Sequence, residues 1–348
     1  MGFPGPKGGP FIQRDSNDMS RRFSNPWGDD HHSFLDILKW KLGRMPKEPV
    51  VAGAGDEGAL RRELTRAEMD APQPEGWRVT WLGHASFLVQ GAGLNLLIDP
   101  VFSDYCAPLP ISSLKRLVAP PCAIEDLPKI DAVLLSHGHY DHLDLPTLRT
   151  LGKGMRLIVA EGHAGWLGRR GFHHVEEVPW WETVEIIPGV RVTATPAKHF
   201  TARTPWDRNR GHWCGWLIEG AGKKLWHAGD SGFCPAFREI GERLGPIDLG
   251  MIPIGAYNPR AIMRSVHVNP EEAVQVFLET RCRQAIGMHW GTFRLTDEPM
   301  GEPPMRLKEA CEKAGVDTFG VTAVGESRTV GSLCGSRGGE DFTELETC

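Results

Sequence analysis

Apolar and polar positions alternate first in "WRVTWLG" (77–83) and again in "ASFLVQG" (85–91), on either side of a tight turn around His84. Period-two alternation predicts two strands joined as a hairpin. "LNLLIDP" (94–100) and "DAVLLSH" (131–137) are short apolar runs that end in polar residues. Buried strands that deliver side chains to a site at their ends have this form. Further strand signals fall at 156–161, 175–187, 190–199, 215–220, 223–230, 247–254 and 284–293. Helical patterns lie between them, in "LDLPTLRTL" (143–151), "HAGWLGRRG" (163–171), "CPAFREIGERLG" (234–245), "NPEEAVQVFLETRC" (269–282) and "PPMRLKEACEKAG" (303–315). Strands outnumber helices and hairpins recur. The pattern predicts an α+β fold: an αββα sandwich of two mixed sheets packed face to face, with helices outside.

The compact body is expected at 77–328. Residues 1–30 are rich in Gly, Pro, Asn and Asp and read as a disordered tail, and 329–348 as a second tail. Between 31 and 76, "HHSFLDILKWKLGRM" (31–45) predicts an amphipathic helix, followed by a polar linker punctuated by Pro and Gly. On a helical wheel Phe34, Leu35, Leu38, Leu42 and Met45 share an arc of about 100°, which Ile37 and Trp40 extend. Lys39 and Arg44 flank it. Two readings stand: the stripe packs on the body, or it docks on an anionic membrane surface.

Composition narrows the function. Of 348 residues, 41% are hydrophobic and 24% charged, as in a packed globular protein. A net charge of -5 argues against a general nucleic-acid binder, which needs a broad basic footprint. None of the 8 cysteines forms a C-x-x-C pair, so neither a zinc knuckle nor a redox pair is expected. "MGFPGPKGGPF" has no apolar stretch of a secretory leader, and no run of ~18 apolar residues would span a bilayer. The expectation is a cytoplasmic setting, with peripheral membrane contact if the first helix docks.

The chemistry sits in "SHGHYDH" (136–142). Residues two apart in an extended stretch point the same way, so His137 and His139 can reach one metal, with Gly138 giving the backbone room. Asp141 and His142 follow where they can face a second. Imidazole and carboxylate suit zinc and other borderline divalent ions. Other strand ends supply His199, Asp230 and His289. His84, His163, His212 and His227 also border apolar segments and are weaker candidates. The set divides into His137, His139 and His199 for one ion and Asp141, His142 and His289 for the other, with Asp230 between them. The expected cofactor is two Zn2+ per chain.

"SHGHYDH", "KH" after a strand, "AGDSG" and "MHWGTF" resemble, in order, the metal motifs of metallo-β-lactamase fold hydrolases. "WLGHASFLV", "IDPVFSDYCAP", "IPIGAYNPR", "HVNPEEAVQVF" and "GESR" resemble more closely the phospholipase D family that hydrolyses N-acyl-phosphatidylethanolamines. The similarity runs from Trp77 to Arg328 and extends weakly upstream to "RFSNPW" and "LKWKLGR". It implies the same seven metal ligands and places the family's additional active-site histidine at His267.

The reaction so implied is attack of a metal-bridging hydroxide on phosphorus, releasing an N-acylethanolamine and phosphatidic acid. Asp141 would also orient the nucleophile. His267 would protonate the leaving oxygen or bind phosphate; the alternative is a residue packed before the following helix. Tyr257 and Arg260 are candidate substrate contacts, with Arg260 equally readable as a surface residue. The competing substrates are a soluble phosphodiester or a lactone on the same scaffold. A non-catalytic scaffold would have lost ligands, and none is lost.

Overall fold

The computed structural model describes residues 22–28, 34–45, 48–71 and 75–331. The chain enters through α1 (Phe34–Lys41) and α2 (Arg66–Asp70). Then come β1 (Gly76–Gly83), β2 (Ser86–Gly91), β3 (Leu94–Ile98), β4 (Ala132–Leu135), α3 (Leu145–Leu151), β5 (Leu157–Ala160), α4 (Ala164–Gly168) and β6 (Val175–Val178). The second half runs β7 (Thr183–Ile187), β8 (Val190–Thr195), β9 (Gly215–Gly220), β10 (Lys223–His227), α5 (Ala236–Arg243), β11 (Leu249–Pro253), α6 (Arg260–Met263), α7 (Pro270–Glu279), β12 (Ala285–Met288), α8 (Glu302–Ala314), β13 (Phe319–Gly320) and β14 (Ser327–Gly331). These form two mixed seven-stranded sheets, ordered β14-β1-β2-β3-β4-β5-β6 and β13-β12-β11-β10-β9-β8-β7. The αββα expectation holds.

The run 175–187, read as one strand, is two strands in different sheets. Pro179 has no N–H to continue a ladder, so β6 ends on β5 in the first sheet and β7 begins on β8 in the second. Elsewhere local chemistry sets the boundaries. Asn269 caps α7 by accepting from Glu272 N at 2.9 Å, the Glu272 carboxylate returns to Asn269 N, and Pro270 occupies the first turn.

The main core lies between the sheets and is dominated by Trp77, Trp81, Trp216 and Trp226, all fully buried. A second core lies under α3 on the far face of the first sheet, built on Leu88, Leu97, Val133, Leu148 and Phe172. Trp77 ties the sheets together: from β1 its indole N–H donates to the Gly220 carbonyl of β9 at 2.9 Å.

The division of the chain differs from expectation at both ends. Segment 22–28, placed in a disordered tail, packs on the body through Phe23, Asn25 and Trp27. Segment 48–71, read as a linker, buries Ala59 and Leu64 and bridges Arg61 to Val324. The body runs past 328, because β14 pairs along β1 as far as Gly331. The physical reason is that apolar side chains sparsely set in polar sequence still find core contacts, which periodicity does not register. Helix α1 is shorter than 31–45, and residues 31–33 of that stretch, like most of both tails, lie outside the described residues. Its Leu35, Leu38 and Leu42 are exposed. Among the described residues no helix is long and apolar enough to cross a membrane.

Because Trp77 fills the space between the sheets, Trp77→Ala should destabilise the fold by about 3–5 kcal/mol. Trp77→Phe should cost at least the ~1 kcal/mol of the lost inter-sheet hydrogen bond. Urea unfolding of the two variants checks both; a Trp77→Ala protein within about 1 kcal/mol of wild type would mean that the sheets are held elsewhere.

Candidate metal centre

Each candidate ligand stands just beyond a strand end. His137, His139, Asp141 and His142 occupy the loop from β4 to α3, His199 follows β8, Asp230 follows β10 and His289 follows β12. The two sheets deliver these ends to one buried volume. Gly138 is required by close approach: a Cβ there would stand 2.7 Å from Thr201 Oγ1 and 2.9 Å from the His163 ring.

Two constellations meet. His137 Nε2 lies 2.9 Å from His139 Nδ1, and His199 Nε2 lies 3.2 Å from the same atom. Beside them, His142 Nε2 is 3.6 Å and His289 Nε2 3.5 Å from Asp141 Oδ2. Asp230 Oδ2 faces both sets, at 3.1 Å from His142 Nε2, 3.0 Å from His289 Nε2, and 3.8 Å from both His137 Nε2 and His199 Nε2.

Three of the far ring nitrogens are held, while His289 Nδ1 is buried without a partner. His137 Nδ1 meets the Ser136 hydroxyl at 3.0 Å, His142 Nδ1–H donates to Asp99 at 2.8 Å, and His199 Nδ1–H donates to the Val266 carbonyl at 2.9 Å. The tautomers so assigned turn lone pairs, not N–H groups, toward the shared volume. There His142 Nε2, His289 Nε2 and Asp230 Oδ1 are buried with no hydrogen-bond partner. Converging lone pairs without donors repel, so the donor set fits cations; imidazole and carboxylate groups fit divalent ions of the zinc type.

The electrostatics agree. Burial disfavours the charged ring and lowers His84 and His199 to about 3, His139 to about 4, and His137 well below the usual histidine value. Burial also opposes charge on His142 and His289, but the Asp230 and Asp141 carboxylates outweigh it, raising His142 well above the usual value and His289 to about 9. Asp230 is held well below the carboxylate range because His142 and His289 overcome its desolvation. Protons therefore occupy part of the place that cations would take.

Two further residues complete the site: His84, which the sequence offers only as a weaker candidate, and Asp99, which it does not single out. His84, at the β1–β2 turn, donates from Nε2–H to Asp141 Oδ2 at 2.9 Å and packs 4.0 Å from the His289 ring. Asp99, after β3, accepts from His142 and from the Ser136 N–H at 2.7 Å. The only signal was a polar residue closing an apolar strand, a signal shared with many strand ends. Both, like His289, have left-handed backbones, with φ of 52°, 42° and 62° for His84, Asp99 and His289. Side chains with a Cβ pay about 1–3 kcal/mol for such conformations, which collect at functional sites.

His267 stands beside the cluster. Its ring is 5.1 Å from that of His199 and 5.3 Å from that of His289, its Nδ1 is buried and unpartnered, and burial lowers it to about 3. Tyr257 and Arg260 are not free to contact substrate. Tyr257 is fully buried and donates to Glu302 at 2.7 Å, and Glu298 accepts from its N–H. Arg260 donates from Nη2 to both carboxylate oxygens of Glu272 at 2.8–2.9 Å and from Nη1 to the His267 carbonyl at 2.9 Å. In place of the substrate contacts expected of them, both side chains are engaged within the protein, Tyr257 with Glu302 and Arg260 with Glu272 and the His267 carbonyl.

A profile of the beta-lactamase superfamily domain matches residues 94–290. Over 253 residues the chain is 39% identical to N-acyl-phosphatidylethanolamine-hydrolyzing phospholipase D 1 of Caenorhabditis elegans, covering 69% of this chain and 71% of that protein. It is 36% identical over 244 residues to the mitochondrial N-acyl-phosphatidylethanolamine-hydrolyzing phospholipase D of Saccharomyces cerevisiae, covering 68% of this chain and 52%, about half, of the yeast protein. Among solved structures, a metallo hydrolase from the archaeon Ignicoccus hospitalis superposes with a TM-score of 0.57 at 25% identity, over 72% of this chain and 97% of that one.

The raised and lowered histidines give metal-stripped protein a stability optimum. His289 and His142 bind protons more tightly when folded, so their contribution is complete below pH ~6.5 and is lost as pH rises toward about 9. His84, His139 and His199 are neutral when folded, so unfolding gains protons, and stability, as pH falls below ~6.5, is lost toward about 3–4. Thermal unfolding of stripped protein should peak near pH 6.5, while metal affinity climbs from there to about pH 9 as the His142 and His289 protons are released. A stability profile flat between these limits would contradict the charge assignment. Separately, Asp99→Asn and His84→Ala should each weaken metal binding by about 10–100-fold in a chelator competition.

Proposed function

The chain belongs to the beta-lactamase superfamily and is a metal-dependent hydrolase; from that premise we propose that it is a phosphodiesterase of phospholipase D type, acting on N-acyl-phosphatidylethanolamine-like lipids. The observation that carries this reading is the disposition of two ligand groups about Asp230 with His267 alongside, its Nδ1 unpartnered. Identity to two phospholipases D of that substrate class supports the choice of lipid.

His137, His139 and His199 would hold one ion, Asp141, His142 and His289 the other, and Asp230 both. Zinc is the ion best suited to these donors. Bound there, two such ions supply Lewis acidity and a water activated at neutral pH. The protein's own groups do the rest. Asp141, fixed by His84, orients the attacking water. His267, with Nδ1 unpartnered beside the cluster, is placed to pass the proton released by the attacking water to the departing ethanolamide oxygen, which is a poor leaving group without one. Arg260, by holding the His267 carbonyl, keeps that ring in place.

The lipid requires an approach to the head-group layer. Helix α1 and the turn after it offer Leu35, Leu38 and Leu42, which are 62%, 40% and 55% exposed, with Lys39 and Arg44 beside them. The helix is tied to the body by Trp40, whose indole N–H donates to Asp297 at 2.7 Å. Apolar side chains that face water at a cost, next to cations, suit a peripheral contact with an anionic surface. Six free cysteines among the described residues accord with a reducing, cytoplasmic side of that surface.

Purified, zinc-loaded protein should hydrolyse N-acyl-phosphatidylethanolamine vesicles and simple aryl phosphodiesters and leave β-lactams nearly untouched. Faster turnover of a lactone than of every phosphodiester would overturn the lipid assignment in favour of the alternative substrate class. His267→Asn should cut turnover of a substrate with an alkyl leaving group by ~100-fold or more and that of a p-nitrophenyl ester much less, at wild-type metal content. Equal losses on both would make His267 a phosphate contact. Replacing Leu35, Leu38 and Leu42 together by Ser should lower activity on anionic vesicles by about tenfold or more while sparing a soluble phosphodiester. Equal activity on vesicles would remove α1 from the docking surface.

A further inference from the structure

Residues 22–28 lie across the loop that follows β8 and grip it where it supplies a candidate ligand. That loop, residues 196–214, joins β8 to β9 without helix or strand. Loops of this length within a compact domain need tying down. From inside, Thr201 Oγ1 accepts from Gly138 N at 3.1 Å, and Arg203 donates to the carbonyls of Gly138 at 2.9 Å and Leu143 at 2.8 Å. The ties join it to the 137–142 loop, so the two ligand-bearing loops are braced against each other.

From outside, the N-terminal segment completes the hold. Asn25 Nδ2 donates to the His199 carbonyl at 2.9 Å, and His199 N–H donates to Asn25 Oδ1 at 3.2 Å. Phe23 N–H donates to the Asn209 carbonyl at 2.8 Å, and Arg22 donates to the carbonyls of Arg208 and Trp206. The Phe23 ring stacks on His212 at 4.4 Å, and Trp27 stacks on Trp180 at 5.8 Å. Gly28 N–H donates to the Asn25 carbonyl at 3.2 Å, closing a turn around Pro26 and Trp27.

Only a primary amide offers a donor and an acceptor side by side, the pattern that satisfies both backbone groups of one residue. Asn25 does this for His199, which has no strand partner to do it. The His199 ring is fixed separately, by Val266. With backbone and ring both held, Nε2 is directed at His139 Nδ1 and Asp230.

We propose that Asn25 is a positioning residue for the candidate metal ligand His199, and that segment 22–28 is a strap that completes the metal centre from outside the two-sheet body. The strap governs the ion of His137, His139 and His199 rather than the ion of Asp141, His142 and His289. This rests on the two-ion reading above.

The test uses full-length Asn25→Ala and wild-type protein, each stripped and reloaded with 113Cd. In wild type, two ions give two cadmium resonances. In Asn25→Ala, one resonance should shift and one ion should bind about 10–100-fold more weakly in a chelator competition. The other ion should keep its resonance and affinity, and stripped protein should melt within about 2 °C of wild type. Wild-type affinity for both ions would overturn the proposal. So would equal loss of both with a lower melting temperature, which marks general loosening. Should Asn25→Ala not fold, Phe23→Leu loosens the strap at His212, leaves Asn25 in place and carries the same comparison. A single wild-type resonance would end the two-ion reading, and the strap would then stand or fall by the shift and affinity of that resonance.

Discussion

The constraint on which the rest depends is the burial of imidazole lone pairs and carboxylates that face one another with no donor between them. His137, His139 and His199 bring three ring nitrogens within 2.9–3.2 Å contacts, and Asp230 stands between them and His142 and His289. No packing of neutral groups satisfies that arrangement in a low-dielectric interior. It holds together only with positive charge in the middle, as protons on His142 and His289 or as divalent ions. The fold must then supply enough rigidity to keep like groups close.

Two seven-stranded sheets provide that rigidity. Their strands end at a common edge, so the loops that follow β4, β8, β10 and β12 bring the candidate ligands into one place. Tryptophans between the sheets set their separation. Around the site the backbone takes left-handed conformations at His84, Asp99 and His289, which ordinary packing would not favour. Each of these residues makes a polar contact within the cluster or lies against a residue that does. Part of the backbone strain, and the repulsion between like groups, falls where the chemistry is, and the hydrophobic body offsets both.

The loops around the ligands are organised by polar contacts of long sequence separation. Arg203 joins the β8–β9 loop to the β4–α3 loop, Arg260 and Glu272 steady the His267 loop, and Glu298 and Glu302 hold Tyr257. The "IPIGAYNPR" stretch thus serves the site through its backbone, with Gly255 packed on the His289 carbonyl, and by bracing the neighbouring loops. A residue type with an obvious binding chemistry, such as Tyr257 or Arg260, is here committed to a neighbour's backbone or carboxylate. His267, by contrast, keeps an unpartnered Nδ1 beside the cluster, which is why the proposed reading gives it the contact with substrate.

Much of this was legible along the chain. Alternation marked most strands, because one face of each is buried. Apolar runs closed by His or Asp marked the residues that the structure gathers into one cluster, because a strand end is where a buried element can present a polar group. The proposed division of the candidate ligands into two groups started from the two-residue repeat at His137 and His139. Tertiary structure alone decided the remainder. Pro179 splits one apparent strand between two sheets because pairing partners, not local pattern, define a sheet. His84 and Asp99 join the site through contacts with residues 57 and 43 positions away, which no local spacing encodes. Asn25 reaches His199 across 174 positions, from a stretch whose composition reads as disordered. Periodicity reports which face of an element is buried; which polar atoms meet is settled only when the elements have packed.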